Sequence, residues 1–286
     1  MTDYVNKFFM GERPLFNEKN ANIISTTFGE GESPLKESRN INLDGSIFTW
    51  KYPLWYSKHV TVTNTIFETM SRSGIWYTDD ISIKDSTLQA PKLFRRSNQI
   101  DLQNVHFSDA EETLWSCKDI KLDNVQATGD YFGMNSENIR VDNSSFVGNY
   151  IFDGAKNIEV HNSTFLSKDA FWNCENVTVY DSVINGEYLA WNTKNIRFVN
   201  CTIESDQGLC YIDDLKMENC KLLRTDLAFE YCSNIDAEIT TDIMSVKNPI
   251  NGKIKAKYID DLIFDDEDID RTKTEIITED SKETTI

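Results

Sequence analysis

Positive charge is scarce in this chain. Lys and Arg total 29 against 47 Asp and Glu, a formal net charge of −18 with a pI near 4.6. That balance opposes nonspecific binding to nucleic acid, which rests on neutralising phosphates with cations. Histidine is nearly missing: three residues, at positions 59, 106 and 161. No apolar run approaches the ~20 residues needed to span a bilayer. No basic stretch followed by an apolar core opens the chain, so no signal peptide and a cytoplasmic location are expected. The six cysteines (117, 174, 201, 210, 220 and 232) lack metal-site spacing. Nor is there a nucleophile elbow, a phosphate-binding loop or a zinc motif. These absences leave an acidic protein that is expected to bind neither nucleic acid nor membrane.

What is present is a phrase that recurs about every nineteen residues. Its clearest copy is Lys156 to Phe165, K-N-I-E-V-H-N-S-T-F. With its Ile as marker, the phrase falls at Ile23, Ile41, Val60, Ile81, Ile100, Ile120, Ile139, Ile158, Val177, Ile196, Leu215, Ile235 and Ile254. So regular a period signals stacked supersecondary units. It is too short for a pair of helices, and the phrase itself alternates with period two, as strands do. The Leu signature of leucine-rich repeats is missing. The expected fold is therefore all-β: a single-stranded right-handed parallel β-helix of about 12 coils, its hand taken from the crossover rule.

Polar columns accompany the repeat. Four residues after the marker stand Asn64, Asp85, Asn104, Asn124, Asn143, Asn162, Asp181, Asn200 and Asn219. A second column, including His59 and Asp80, precedes it. Both are read as internal ladders of side chains at turns. Cys117, Cys174 and Cys232 share a column with Ser97, Ser136 and Ala155, so they read as small buried fillers, all thiols reduced.

Stacked coils with Asn ladders resemble the pectate-lyase-like β-helix superfamily over residues 20–255. The phrases GESPLKES (31–38), GIWY (74–77) and DAFWNCENVTV (169–179) resemble, more specifically, a bacterial family of unknown function and about this length. The superfamily resemblance implies a carbohydrate-active fold. Its lyases use clustered Asp with calcium and a basic residue; its polygalacturonases use a close Asp set with His and Lys. Neither set maps residue by residue onto this chain. The more specific resemblance implies no activity.

One domain is expected, with residues 1–20 as an N-terminal cap, 21–257 as the β-helix and 258–286 as an acidic C-terminal cap and tail. Tyr4, Val5, Phe8 and Phe9 have helix-like spacing. The tail is expected to be solvated after about Thr272. The acidic run at Asp260–Asp270 lacks the spacing and central Gly of a calcium loop; no cofactor is expected, with calcium the one alternative, unsupported by a motif.

Candidate chemistry lies upstream of each marker. Six residues before it the column is apolar: Leu54, Ile75, Phe94, Leu114, Phe152, Phe171. The next column holds Trp55, Trp76, Arg95, Trp115, Met134, Asp153, Trp172, Trp191, Cys210 and Glu230. Its charged members place it outside, although a one-residue error in facing would swap the two columns. On that facing Trp76, Tyr77, Trp115, Trp172 and Trp191 line an aromatic surface suited to sugar rings. Arg95 and Arg96 would hold acidic groups. Nearby columns bring Glu111, Asp130, Asp153, Lys168 and Asp169 to middle coils. Two carboxyls ~5–10 Å apart are the apparatus of glycoside hydrolysis, and crowding of like charge keeps one protonated as the acid. Asp130, Asp153 and Asp169 are the candidate acid and base, with Lys168 as an anion clamp and Glu111 as a further contact. The expected function is binding or cleavage of an oligosaccharide or polysaccharide; as an enzyme this would be a glycoside hydrolase or polysaccharide lyase. The alternative is a non-catalytic scaffold whose aromatic face binds a partner protein or another copy of itself.

Overall fold

The computed structural model describes residues 1–279 and is built from parallel strands. Among the described residues only Thr69–Ser71 and Arg271–Lys273 are helical, each a single 3-10 turn. Each lap contributes a strand on the marker phrase, a bend, and a short strand after it. Lys156–His161 followed by Thr164–Leu166 is one such lap. The fold is a right-handed parallel β-helix of about 15 turns with a period near 19 residues, not 12.

Two compact units make up the chain, the first Met1–Val147 and the second beginning at Gly148. In the first, successive turns align Thr2, Ala21, Ile41, Val60, Ile81, Ile100, Ile120 and Ile139. In the second they align Ile158, Val177, Ile196, Leu215, Ile235, Gly252 and Thr274. Two sequence markers were therefore misplaced. Ala21, not Ile23, aligns with Ile41, and Gly252, not Ile254, aligns with Ile235. Each error is a slip of two residues. Side chains alternate with period two, so such a slip leaves every facing unchanged and the hydrophobic pattern cannot detect it.

The extra turns lie at the ends. Tyr4 and Val5 fall in the strand Thr2–Val5, and Phe8–Phe9 is a strand too; both pair in register with the following turn. Helix-like spacing over so few residues is a weak signal beside the backbone pairing that the next turn offers. At the other end Tyr258–Ile263 pairs with Asp242–Lys247, and Thr274–Thr278 pairs with Gly252–Ala256 where a solvated tail was expected. Residues 280–286 of that tail lie outside the described residues.

The interior is a file of stacked apolar side chains. Phe28, Phe48 and Phe67 stack with centroids 4.7 and 4.8 Å apart, close to the ~4.8 Å strand spacing. Phe152 and Phe171, equivalent positions on successive turns, continue the stacking in the second unit at 6.0 Å and 29°. Beside these lies a column of small donors. Ser97 Oγ donates to the Ile75 carbonyl (2.8 Å), Thr193 Oγ1 to Phe171 (2.5 Å) and Cys174 Sγ to Phe152 (3.0 Å). Cysteine thus stands in for a hydroxyl in a buried position. All six cysteines are free and buried, and burial pushes the Cys117 thiol up to about 12.

The bends are made by residues in the left-handed region, among them Asn104 (φ 54°), Asn124 (φ 53°) and Asn200 (φ 55°). Asparagine tolerates this conformation better than other non-glycine residues. Its amide then bonds along the stack: Asn124 Nδ2 donates to Asn104 Oδ1 (2.8 Å), and Asn200 Nδ2 to Asp181 Oδ1 (3.0 Å). The ladders are exposed rather than internal. At a left-handed corner the backbone turns toward the core, which leaves the side chain outside. His59 belongs to such a column, its Nδ1 2.6 Å from Asp80 Oδ2.

Two outcomes are expected from this arrangement. Asn200→Ala loses two amide bonds and places a Cβ-bearing non-Asn residue in the left-handed region, so urea denaturation should show a loss of about 1–3 kcal/mol. Asn200→Gly should lose visibly less, because glycine relieves the backbone term. In a thiol-reagent assay at neutral pH the folded protein should react at none of its six cysteines, and at all six in denaturant.

Candidate ligand-binding site

The column of Leu54, Ile75, Phe94 and Leu114 is fully buried, and its neighbour with Trp55, Trp76, Arg95 and Trp115 is half-buried on the outer side. In the second unit Phe152 and Phe171 are buried while Asp153, Trp172 and Trp191 are half-buried. The facing read from the sequence therefore matches the structure in both units. At the end of the column it breaks: Cys210 and Glu230 are buried, Glu230 under an ion pair with Lys247 (3.1 Å) and a bond from Gln207 Nε2 (3.1 Å).

In the first unit the aromatic rings use their faces on one another. Trp55 and Trp76 stack at 5.5 Å and 9°, and Tyr56 and Tyr77 at 4.8 Å and 6°. Trp76 Nε1 donates to the Lys92 carbonyl (2.9 Å), and Trp55 Nε1 to that of Ser73. The Arg95 guanidinium lies 4.7 Å from the ring centroids of both Trp76 and Trp115, a planar cation inserted between two indoles. Its Nη2 is 3.2 Å from Glu112, which also holds Lys92 (3.1 Å). Ring faces and cation are thus engaged within the protein. Arg96 and Glu111 remain exposed, and Asp130 is half-buried on the turn after Glu111.

The second unit differs. Trp172 and Trp191 are tilted by 39° at 5.9 Å, and Trp191 and Tyr211 by 35° at 5.0 Å. Tyr150 meets Trp172 edge-on (82°), and Tyr188 meets Trp191 edge-on (84°). Trp172 Nε1 donates to the Tyr188 carbonyl (2.8 Å). These rings splay where those of the first unit lie parallel. Asp169 stands in the left-handed column between Tyr150 and Tyr188 (φ 59°, 56° and 51°). Its side chain is 1% exposed, and neither carboxylate oxygen accepts a hydrogen bond. The Tyr150 hydroxyl lies close enough to favour the anion without reaching bonding geometry.

Burial holds the Asp169 pKa above the usual carboxylate range. The Lys168 ammonium and the Tyr150 hydroxyl oppose this; the charges of Glu187 and Asp153 reinforce it. Lys168 itself is turned to Glu187 (3.2 Å) and sits 5.1 Å from the Tyr188 ring centroid. Asp153 accepts from Asn173 Nδ2 (2.9 Å). The structure thus gathers Asp153, Lys168, Asp169, Trp172 and Trp191 in one unit, and adds Tyr150, Tyr188 and Glu187. Glu111, Asp130, Arg95, Arg96, Trp76, Tyr77 and Trp115 belong to the other unit.

Two surface hollows were not foreseen, both in the first unit. One, of about 480 Å³, lies over Asp101, Gln103, Lys121, Asp123, Arg140 and Asp142. These are outward positions of adjoining marker strands, and their density of charge was the available signal. Their groups are already engaged with one another: Arg140 forks onto Asp142 (2.8 and 2.9 Å), and Asn143 donates to Asp123 (3.0 Å). The other, of about 270 Å³, is lined by the His59–Asp80 pair with Thr61 and Ser82. Among the described residues no group of three or more His, Cys, Asp or Glu is placed to hold a metal ion.

A profile of proteins of unknown function, DUF3737, matches residues 2–277. The chain belongs to the DUF3737 family. No curated protein matches this DUF3737 chain. Among solved structures it is similar to the Streptococcus pneumoniae surface adhesin PfbA. One crystal structure of PfbA matches at 12% identity and a TM-score of 0.38, over 75% of this chain and 70% of the adhesin's. A second matches at 11% identity and a TM-score of 0.35, over 91% and 76%. Similarity at this level says nothing of what the DUF3737 chain binds.

Asp169 gives a test of its own environment. Its folded pKa lies above the ordinary 3.8, so the native state holds the proton to higher pH than the unfolded chain does. The native state is therefore favoured below that value, and the advantage is lost as pH rises through the folded pKa. Asp169→Asn should stabilise the protein by about 1–3 kcal/mol at neutral pH, and the gain should vanish in urea titrations run near pH 3.

Proposed function

We propose that this protein is a carbohydrate-binding β-solenoid, with the ligand received by the second unit at Tyr150, Asp169, Trp172, Tyr188 and Trp191. One observation carries the reading: a carboxyl that is 1% exposed and without a donor lies among splayed aromatic rings. A buried acceptor left unmade costs about 1–3 kcal/mol. Sugar hydroxyls supply the donors it lacks, and the tilted indoles offer apolar surface to the C–H face of a pyranose. The parallel Trp pair of the first unit spends its faces on other groups of the protein: Trp76 lies between Trp55 and Arg95. Net charge of −18 and an engaged Arg95 argue against a polyuronate ligand. The ligand reaches Asp169 by displacing the Lys168 ammonium from the Tyr188 ring face, with its pairing to Glu187 kept.

Binding rather than cleavage is the form supported here. Cleavage needs an acid and a second carboxylate both free to act on the scissile bond, whereas Asp153, the second carboxyl of the candidate pair, is already held by Asn173. A second reading, a protein-binding scaffold, is favoured by Leu166 and Val183. These are 50% and 47% exposed on the adjoining strands Thr164–Leu166 and Val183–Asn185.

A glycan array on the intact protein separates the two. Retention of a glycan that Trp172→Ala weakens at least tenfold, and Trp76→Ala leaves unchanged, is the expected result. An empty array together with light scattering that shows self-association lost in Leu166→Asp would replace this reading with the scaffold.

A further inference from the structure

The surroundings of Asp169 are acidic as well as aromatic. Asp153, Asp169 and Glu187 carry three carboxylates against the single ammonium of Lys168, and the other three groups all act electrostatically on Asp169. That ammonium sits 5.1 Å from the Tyr188 ring centroid and 3.2 Å from Glu187, so the site already receives one primary amine by ring face and carboxylate together. Asp169 gains no hydrogen bond from it. A buried carboxylate without a partner is the costliest group in the cluster, and what satisfies it best is a cationic donor. A neutral hydroxyl would give it a bond but would leave its charge unbalanced.

We infer that the sugar recognised is an amino sugar with a free, protonated amine, which pairs with Asp169 while its ring lies against Trp172 and Trp191. This rests on the carbohydrate reading above and narrows it. The ammonium fits on two grounds that a hydroxyl does not share: it balances Asp169, and it is drawn to the electron-rich faces of the flanking tyrosines and tryptophans. Acetylation of the amine removes both, because it abolishes the charge and places an acyl group where the carboxylate must approach. Lys168 is the internal competitor. Its ammonium occupies the Tyr188 face until the ligand amine enters and turns it outward to Glu187 alone.

The test uses the full chain and calorimetric titration at about pH 6 with three probes: a glucosamine oligomer, the N-acetylated oligomer of equal length, and an N-acetyl-lysine amide that carries the amine without a sugar ring. The free-amine oligomer should bind at least about tenfold tighter than either of the others. That preference should collapse to within about twofold in Asp169→Asn, whose fold is verified by its urea midpoint. Lys168→Ala, which removes the competitor, should tighten the free-amine oligomer. Equal binding of the two oligomers would overturn the amino-sugar inference and leave carbohydrate binding standing. Equal binding of the lysine amide would overturn it in favour of an amine site without sugar selectivity. If none of the three probes binds, the amino-sugar inference falls, and the glycan array then decides whether carbohydrate binding falls with it.

Discussion

Everything in this molecule depends on the hydrogen bond between one turn and the next. Parallel register places each residue beside its equivalent one lap later, at about the 4.8 Å strand spacing. Like side chains therefore meet like. Phenylalanine stacks on phenylalanine inside, and asparagine bonds to asparagine at the corners. The tryptophans tie their indole N–H groups to carbonyls of the following turn. A contact that would be minor in a globular core is repeated along the stack and becomes a structural term. The same repetition explains the tolerance for cysteine in a hydroxyl column, since all that position asks of a side chain is small size and a donor aimed back one lap.

Against so consistent a background, departures are informative. Natural chains satisfy local rules nearly everywhere and break them where function or strain intervenes. The parallel indoles of the first unit, closed by Arg95 between Trp76 and Trp115, obey the stacking rule and consume their own binding surface. The second unit breaks it twice, with tilted rings and with a carboxyl where the column otherwise carries Tyr150 and Tyr188. Burial holds the Asp169 carboxyl above its ordinary pKa, so this residue is expected to weaken the native state at neutral pH, the opposite of what a residue with only a packing role would do.

Much of this was legible in the residues. The nineteen-residue period, the alternation within each phrase and the small polar columns led to the fold, and the charged members of the Trp column led to its facing. Tyr4, Val5, Phe8 and Phe9 misled because a few residues cannot distinguish an isolated helical turn from a strand that the neighbouring turn will pair. Ile23 and Ile254 misled because a two-residue slip costs the pattern nothing. The aromatic surface was legible as a column but not as a surface. Trp55, Trp76, Trp172 and Trp191 occupy equivalent positions, and only the angle between rings separates a closed stack from an open one.

The sequence by itself determined the winding, the core and which side chains stand outside, because those follow from periodicity and from the cost of burying charge. Tertiary structure alone decided which of those outer groups are free to act. Ring tilt, the insertion of Arg95 between indoles and the missing donor at Asp169 depend on side-chain rotamers and on groups brought together from neighbouring turns. No repeat position encodes them, since each is a relation between laps rather than a property of one.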